Sequence, residues 1–247
     1  MHPTPFQVLR AAQQRLPVAL GKPRLAIVGA TGVLGNEVMR RLVGAGMFEH
    51  TEVLAREPMT AGLRTATAVM VPSDSPAEWP DGAFDAAVVL FDPPRLFFDR
   101  ERALWTPRPD QLQEVAAWLR RSGVGTLAVV LPHDQGRLPD ALKRGLAGLN
   151  EHAVAALGFE RLLIVRSARE RKAGSGGGLA GVARWMLSVF RYMVPGEEMP
   201  VRASRVAEFV ACALECAPPG IHVAAPETVW RAARGDLQAV VRDWLRR

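Results

Sequence analysis

The stretch RLAIVGATGVLGNEVMRRL, residues 24–42, decides the fold that the sequence predicts. The apolar residues before Gly29 are typical of a buried strand, and the apolar spacing after Leu34 predicts a helix that ends near Val43. The glycines between them follow a Gly-x-x-Gly-x-x-Gly spacing. Such glycines allow a tight turn, a close approach of the backbone to a pyrophosphate, and close packing of the helix on the strand. The stretch therefore predicts a dinucleotide-binding turn.

The first turn of this helix supplies the predicted phosphate contacts. Its backbone N–H groups face any anion held at the helix N-terminus, where the helix carries a partial positive charge. Because a strand precedes the glycines and a helix follows them, the pattern favours nucleotide binding over a purely structural turn. The candidate cofactor-binding residues of the turn are Gly29, Thr31, Gly32, Val33, Leu34 and Gly35.

The remainder of the chain alternates between strand and helix patterns. This alternation is typical of a mostly parallel sheet covered on both faces, so we predict an α/β protein with a Rossmann-like, doubly wound sheet. We expect an N-terminal helical arm over 1–20 and one NAD(P)-binding domain over 21–247, with a small C-terminal region on the substrate side. Further strands are predicted at 51–56, 65–71, 85–91, 126–131 and 161–166, and further helices after a capping box of Asp110 and Gln113 and at 139–157, 203–215 and 235–247.

The end of the second predicted strand bears on the choice of cofactor. An acidic residue there accepts a hydrogen bond from the adenosine ribose and repels a 2′-phosphate. This strand ends in Arg56, whose guanidinium can pair with a 2′-phosphate, so NADP is favoured over NAD, while the neighbouring Glu57 leaves NAD open. Asp74 follows the third strand, where either an adenine contact or a plain loop fits the pattern.

Composition narrows the classes of partner. The net charge is +6 and 49% of residues are hydrophobic, but the arginines are scattered and no apolar run is long enough to span a bilayer. We therefore expect a cytoplasmic protein without a membrane segment and do not expect a nucleic-acid partner. The two cysteines, Cys212 and Cys216, are interpreted as core residues, and neither they nor the histidines have a metal-ligand spacing. The last helix either docks on its own chain or forms a contact in a homo-oligomer.

Three segments together resemble the atypical short-chain dehydrogenase/reductases. They are IVGATGVLGNEVMRRLVGAGMFEHTEVLAREP (27–58), GFERLLIVRSA (158–168) and MPVRASRVAEFVACALE (199–215). Within that family they are most similar to the Tat-interacting oxidoreductases and to bacterial nucleoside-diphosphate-sugar-epimerase-like proteins. The resemblance extends over about 24–216 and implies an NAD(P) cofactor, with Phe91 at the end of the fourth strand beside it.

The chain departs from this family at the catalytic positions. Active members use a Tyr-x-x-x-Lys pair, in which the lysine lowers the tyrosine pKa for proton transfer, together with a serine after the fifth strand. The single tyrosine, Tyr192, is followed four positions later by Gly196, so the chain contains no such pair. The resemblance places Lys143 where the tyrosine stands and Ala147 where the lysine stands. His133 lies where the serine is expected.

A second departure lies at the end of the fourth strand, where Asp92-Pro93-Pro94 replaces the family's Gly-Thr-Thr. We therefore expect a dinucleotide-binding protein without the usual catalytic set, as a sensor or scaffold. One alternative is an NADP-dependent oxidoreductase or epimerase-like enzyme that uses His133 or Lys143 as acid or base on an unidentified small molecule. Another is an interaction protein for a protein partner, with no bound nucleotide, in which the Asp-Pro-Pro turn fills the cleft.

Overall fold

The computed structural model describes residues 22–58, 66–95, 98–133, 151–168 and 201–246. These residues form one seven-stranded sheet in the order β3-β2-β1-β4-β5-β6-β7, and every neighbouring pair is parallel. The predicted Rossmann-like fold class is confirmed. The strands are β1 (Arg24–Val28), β2 (His50–Ala55), β3 (Ala66–Met70), β4 (Ala86–Leu90), β5 (Thr126–His133), β6 (Arg161–Ala168) and β7 (Gly220–Ala224).

Helices cover both faces of the sheet, which makes the fold doubly wound. One face packs on α1, α4, α5 and α6, and its core is continuous from β1 to the C-terminal helices. The other face packs on α3 and on residues 151–155, which are also helical. The helices are α1 (Gly32–Ala45), α2 (Asp99–Arg102), α3 (Leu112–Arg121), α4 (Ala203–Cys216), α5 (Pro226–Arg234) and α6 (Leu237–Leu245).

Helix α1 ends where its glycines predict. Gly46 takes the left-handed conformation, with φ of 63°, and its N–H bonds to the Val43 oxygen. A residue without a side chain reaches this conformation at no steric cost, which is why helices so often end in glycine. Helix α6 docks on its own chain, because Val241 is fully buried and the Trp244 indole N–H donates to the Val223 oxygen at 3.0 Å.

Some predictions were wrong or incomplete. The glutamine that bonds back to the start of its helical turn is Gln111, whose side chain accepts the Arg108 N–H, and not Gln113. The sequence patterns missed β7 and α5. Cys216 is exposed and Cys212 is only partly buried, so the core interpretation fails for Cys216. Among the described helices none is long and apolar enough to cross a membrane.

The strand order reverses between β1 and β4, which are neighbours on the two sides of the switch. In open α/β sheets, ligands bind in the crevice beyond the carboxyl ends of the strands at such a point. The glycine turn follows β1, and Phe91 and Asp92 follow β4. The fold therefore places the predicted site at the position that sheet topology favours.

Candidate functional site

The glycine turn has the backbone geometry of a phosphate-binding turn. Gly29 and Gly32 have φ of 80° and 69°, a region that residues with side chains rarely adopt. A Cβ on Gly29 would collide with the Leu90 oxygen, and one on Gly35 would lie 2.7 Å from the Gly29 oxygen. These glycines are therefore required for the turn and for the close packing of α1 on the sheet.

Two carboxylates of the chain lie on the N–H groups of this turn. The Gly32 N–H donates to Glu101 Oε2 at 3.0 Å, and the Leu34 N–H donates to Asp92 Oδ2 at 3.1 Å. The Thr31 hydroxyl donates to the backbone carbonyl oxygen of Asp92. A Cβ on Gly32 would lie 2.6 Å from Asp92 Oδ2, so the space kept open by this glycine already contains an anionic group.

Glu101 is the most completely enclosed charge of the site, with its side chain 4% exposed. Arg95 donates to it from Nε at 2.7 Å, from Nη2, and from its backbone N–H at 2.9 Å. The Asn36 amide adds a bond at 2.7 Å. Burial alone would raise the pKa of the Glu101 carboxyl, but the bonds from Arg95 and Gly32 outweigh burial, so its pKa lies below the usual value. The carboxyl is therefore ionised at neutral pH.

The residues predicted on the adenosine side of the site, Arg56 and Asp74, also have hydrogen-bond partners within the chain. Arg56 Nη2 lies 2.9 Å from Asp74 Oδ1, in an ion pair whose side chains are 50% and 68% exposed. The same Asp74 oxygen accepts the indole N–H of Trp105 at 3.1 Å. The Asp74 backbone oxygen accepts the Gln111 side-chain amide at 3.0 Å. Asp74 is therefore a hydrogen-bonded centre of this site, with the candidate cofactor residue Arg56 as one of its donors.

A crossing segment, residues 98–106, runs over the carboxyl edge of the sheet from the turn to the end of β2. The Arg56 N–H donates to the Ala103 oxygen at 2.7 Å, and the Trp105 N–H donates to the Leu54 oxygen at 2.9 Å. Leu104 forms an isolated antiparallel bridge with Ala55. The segment therefore brings Glu101 to the turn and Trp105 to Asp74.

The remaining predicted cofactor residues have contrasting surroundings. Phe91 is buried in the core on the α3 side of the sheet, and Thr31 is buried against Thr106, with 3.0 Å between their hydroxyl oxygens. Val33 is 47% exposed, so its side chain faces solvent.

The two catalytic candidates, His133 and Lys143, remain predictions. His133 is the last residue of β5, and only its backbone is described, while Lys143 lies outside the described residues, as do Tyr192, the arm over 1–20 and the glycine loop at 174–178. Within the described ranges no three His, Cys, Asp or Glu residues are grouped to hold a metal ion.

Sequence reasoning missed Glu101, Arg95 and Trp105. Glu101 contacts a residue 69 positions earlier in the chain, and no local spacing encodes such a contact. The available signal was the alternation of acids and arginines at 99–102, in the connection that follows β4, whose end lies at the switch point. A carboxylate there faces a helix N-terminus, which is a favourable place for an anion.

The fold is shared with known enzymes, although no protein-family model and no curated protein sequence matches this chain. A nucleoside-diphosphate-sugar epimerase from Staphylococcus aureus is 12% identical, with a TM-score of 0.51 over 82% of this chain and 70% of that one. A triphenylmethane reductase from Citrobacter sp. is 15% identical, with a TM-score of 0.52 over 80% of this chain and 67% of that one. At these identities the likeness establishes a common Rossmann-like architecture.

Proposed function

We propose that this protein binds a dinucleotide at the glycine turn and acts as a sensor or scaffold, without the usual short-chain dehydrogenase chemistry. The observation that carries the proposal is the pair of carboxylate oxygens 3.0 and 3.1 Å from the N–H groups of Gly32 and Leu34. These oxygens stand in for phosphate oxygens, since both are anionic acceptors at a helix N-terminus. The residues of the turn therefore fit a pyrophosphate.

The absence of catalysis is supported by the whole sequence. In the short-chain dehydrogenase family that this chain resembles, hydride transfer needs a tyrosine whose pKa is lowered by a nearby lysine. This chain has one tyrosine and no Tyr-x-x-x-Lys. A panel of carbonyl substrates should show no NADPH oxidation above the rate without protein. Turnover that disappears in His133→Ala or Lys143→Ala would replace this part of the proposal with an enzymatic function.

The preferred dinucleotide is NADP, since Arg56 lies at the end of β2 with its guanidinium half-exposed. A guanidinium pairs with a phosphate through charge-assisted, two-point hydrogen bonds. Asp74 holds this guanidinium at the sheet edge where the adenosine half is expected.

Calorimetric or fluorescence titration of the whole chain with NADPH and NADH tests the proposal. We expect saturable binding with NADPH tighter than NADH, and no binding at millimolar concentration would contradict it. Gly32→Ala should abolish binding, because a methyl group there is strained at φ of 69° and meets Asp92. Gly44→Ala is the matched control, since its Cβ would meet nothing within 4 Å; circular dichroism of both variants verifies that they fold.

A second candidate is an interaction protein with no bound nucleotide. The same contacts support it in the opposite sense: the turn donors and Asp74 already have partners within the chain, so no ligand is needed to satisfy them. Under this candidate NADPH binds neither the natural chain nor a variant in which those partners are removed. The variants described next separate the two candidates.

A further inference from the structure

The groups on the turn match the charge of the ligand proposed there. The pyrophosphate of a dinucleotide carries two negative charges, and Glu101 and Asp92 bring two carboxylates to the Gly32 and Leu34 N–H groups of the same turn. The partial positive charge at the helix N-terminus stabilises the two phosphate charges and the two carboxylates in the same way. Because each of these N–H groups already donates to a carboxylate oxygen, phosphate oxygens and the carboxylates compete for the same two donors.

The crossing segment also carries a counterpart of the adenine base. Trp105 is a bicyclic aromatic side chain, fully buried, whose N–H donates to Asp74. Asp74 follows β3, where the sequence fits either an adenine contact or a plain loop. Edge-on contact with the Trp79 ring, at 4.7 Å between centroids, fixes the orientation of the indole.

We propose that the crossing segment, together with Asp92, is an intramolecular competitor that holds the dinucleotide cleft closed until a nucleotide displaces it. This inference rests on the proposed function, because the competitor is defined by the ligand it imitates. Glu101 replaces phosphate on Gly32, Asp92 replaces phosphate on Leu34, and Trp105 engages Asp74. The apparent association constant for a nucleotide is then the intrinsic constant multiplied by the fraction of protein whose cleft is open.

The displaced Glu101 side chain has space beside its present position. A cavity of about 350 Å³ borders Glu101, Arg100, Asn36 and Leu104, between α1 and strands β2 and β3. Arg95 stays at the turn when Glu101 leaves it, and its guanidinium becomes a donor for the incoming phosphate. The exchange therefore replaces one anion by another beside Arg95.

The test measures NADPH affinity of the natural chain and of Glu101→Ala. Removing the carboxylate should tighten binding about ten- to hundredfold, the factor that corresponds to the net free energy of charge-assisted hydrogen bonds. Asp99→Asn is the matched control, because Asp99 is an 88% exposed carboxylate of the same segment that pairs with Arg102. Its affinity should equal that of the natural chain.

A second variant and a second readout do not depend on that alanine substitution. Trp105→Phe keeps the buried ring but removes the hydrogen bond to Asp74, and should tighten NADPH binding several-fold. In the natural chain, saturating NADPH should increase tryptic cleavage after Arg100 and Arg102, as the crossing segment leaves the sheet edge. Inorganic pyrophosphate, titrated into Glu101→Ala, should compete with NADPH.

The outcomes separate the two proposals. If the natural chain binds NADPH and neither Glu101→Ala nor Trp105→Phe binds it more tightly, the internal competitor is wrong and the dinucleotide function stands. If NADPH protects Arg100 and Arg102 from trypsin, the competitor is also wrong, because binding then leaves the segment in place. If folded Glu101→Ala and Trp105→Phe bind no NADPH at millimolar concentration, both proposals fail and the interaction protein remains.

Discussion

Asp74 is the residue at which cofactor choice and cleft closure meet. One of its carboxylate oxygens accepts from both the Arg56 guanidinium and the Trp105 indole. The contact to Arg56 is an exposed ion pair, which contributes about 0–1 kcal/mol in most proteins. The guanidinium is therefore held in place at small cost and can exchange Asp74 for a ligand phosphate.

Asp74→Asn should raise the preference for NADPH over NADH by up to about fivefold, the factor that corresponds to the free energy of an exposed ion pair. The amide oxygen keeps an acceptor for the Trp105 N–H, while the loss of charge frees Arg56 for a 2′-phosphate. The ratio of the two dissociation constants measures the effect. Arg56→Gln, in the same assay, should bring that ratio close to one; an unchanged ratio in both variants would rule out Arg56 as the selecting residue.

Glu101 should make the stability of the protein dependent on pH in the acid range. Its pKa is lowered in the folded chain, so its stabilising contribution is complete above the unfolded value of about 4.3 and is lost as the pH falls towards the folded value. Glu101→Gln lacks this contribution and should be less stable by about 2 kcal/mol at neutral pH, since bonds to a charged group are lost.

Urea unfolding of the natural chain and of Glu101→Gln, between pH 3 and neutrality at about half-unit steps, measures the contribution of the Glu101 charge to stability. The difference in unfolding free energy should be largest near neutral pH and should shrink below about pH 4.3, the reference carboxyl pKa. A difference that stays constant with pH would mean that the charge of Glu101 has no role in folding. Asp99→Asn, an exposed carboxylate, is expected to show little difference throughout.

At the scale of the element, two glycines at the C-terminal end of α1 have opposite roles. Gly44 lies within the helix with open space around it, while Gly46 closes the helix at φ of 63°. Glycine within a helix costs about 1 kcal/mol relative to alanine, whereas glycine in the left-handed conformation avoids the strain that alanine would suffer. The same substitution should therefore have opposite effects at positions two residues apart.

Gly44→Ala should stabilise the protein by about 0.5–1 kcal/mol, and Gly46→Ala should destabilise it by about 1 kcal/mol. Chemical unfolding measures both values. The slope of the unfolding free energy against denaturant concentration should stay unchanged in both variants. Two changes of the same sign would contradict the assignment of the helix end. Neither variant touches the turn, so NADPH affinity serves as an internal control for an undisturbed site.

The elements also explain what the sequence could predict. Strands β1, β4 and β6 are apolar on both faces and were found within two residues of their observed ends. Strand β7 was missed because it is a short edge strand, with Ile221 and Val223 exposed, and its pattern lacks buried alternation. The turn donors follow from glycine spacing, but the carboxylates on them depend on contacts between distant residues, which local spacing does not encode.

At the scale of the molecule, the sheet separates two cores that depend on different parts of the chain. On the α3 side, Trp79, Trp105 and Trp118 pack edge to face, and each indole N–H has an oxygen acceptor. Buried indoles therefore leave no polar group unsatisfied. Trp105 of the crossing segment belongs to this core, and Leu104 of the same segment is buried in the opposite core. Displacement of the segment must therefore loosen the packing on both faces of the sheet.

The opposite core joins α1 and α4 to the C-terminal helix, so α6 should stabilise the whole molecule. Val241 is fully buried, and the Trp244 ring lies 5.3 Å from that of Phe209. Val241→Ala should lower the unfolding free energy by about 2 kcal/mol, from lost burial and the cavity left behind, while exposed Gln238→Ala should change it by less than about 0.5 kcal/mol.

Calorimetry and light scattering of both variants measure these effects. The main unfolding transition should move down in Val241→Ala, and the molar mass should stay that of the natural chain, because α6 packs on its own protein. A change in mass with an unchanged unfolding transition would instead place α6 at a contact between subunits. NADPH affinity should be retained, since α6 lies on the core remote from Trp105.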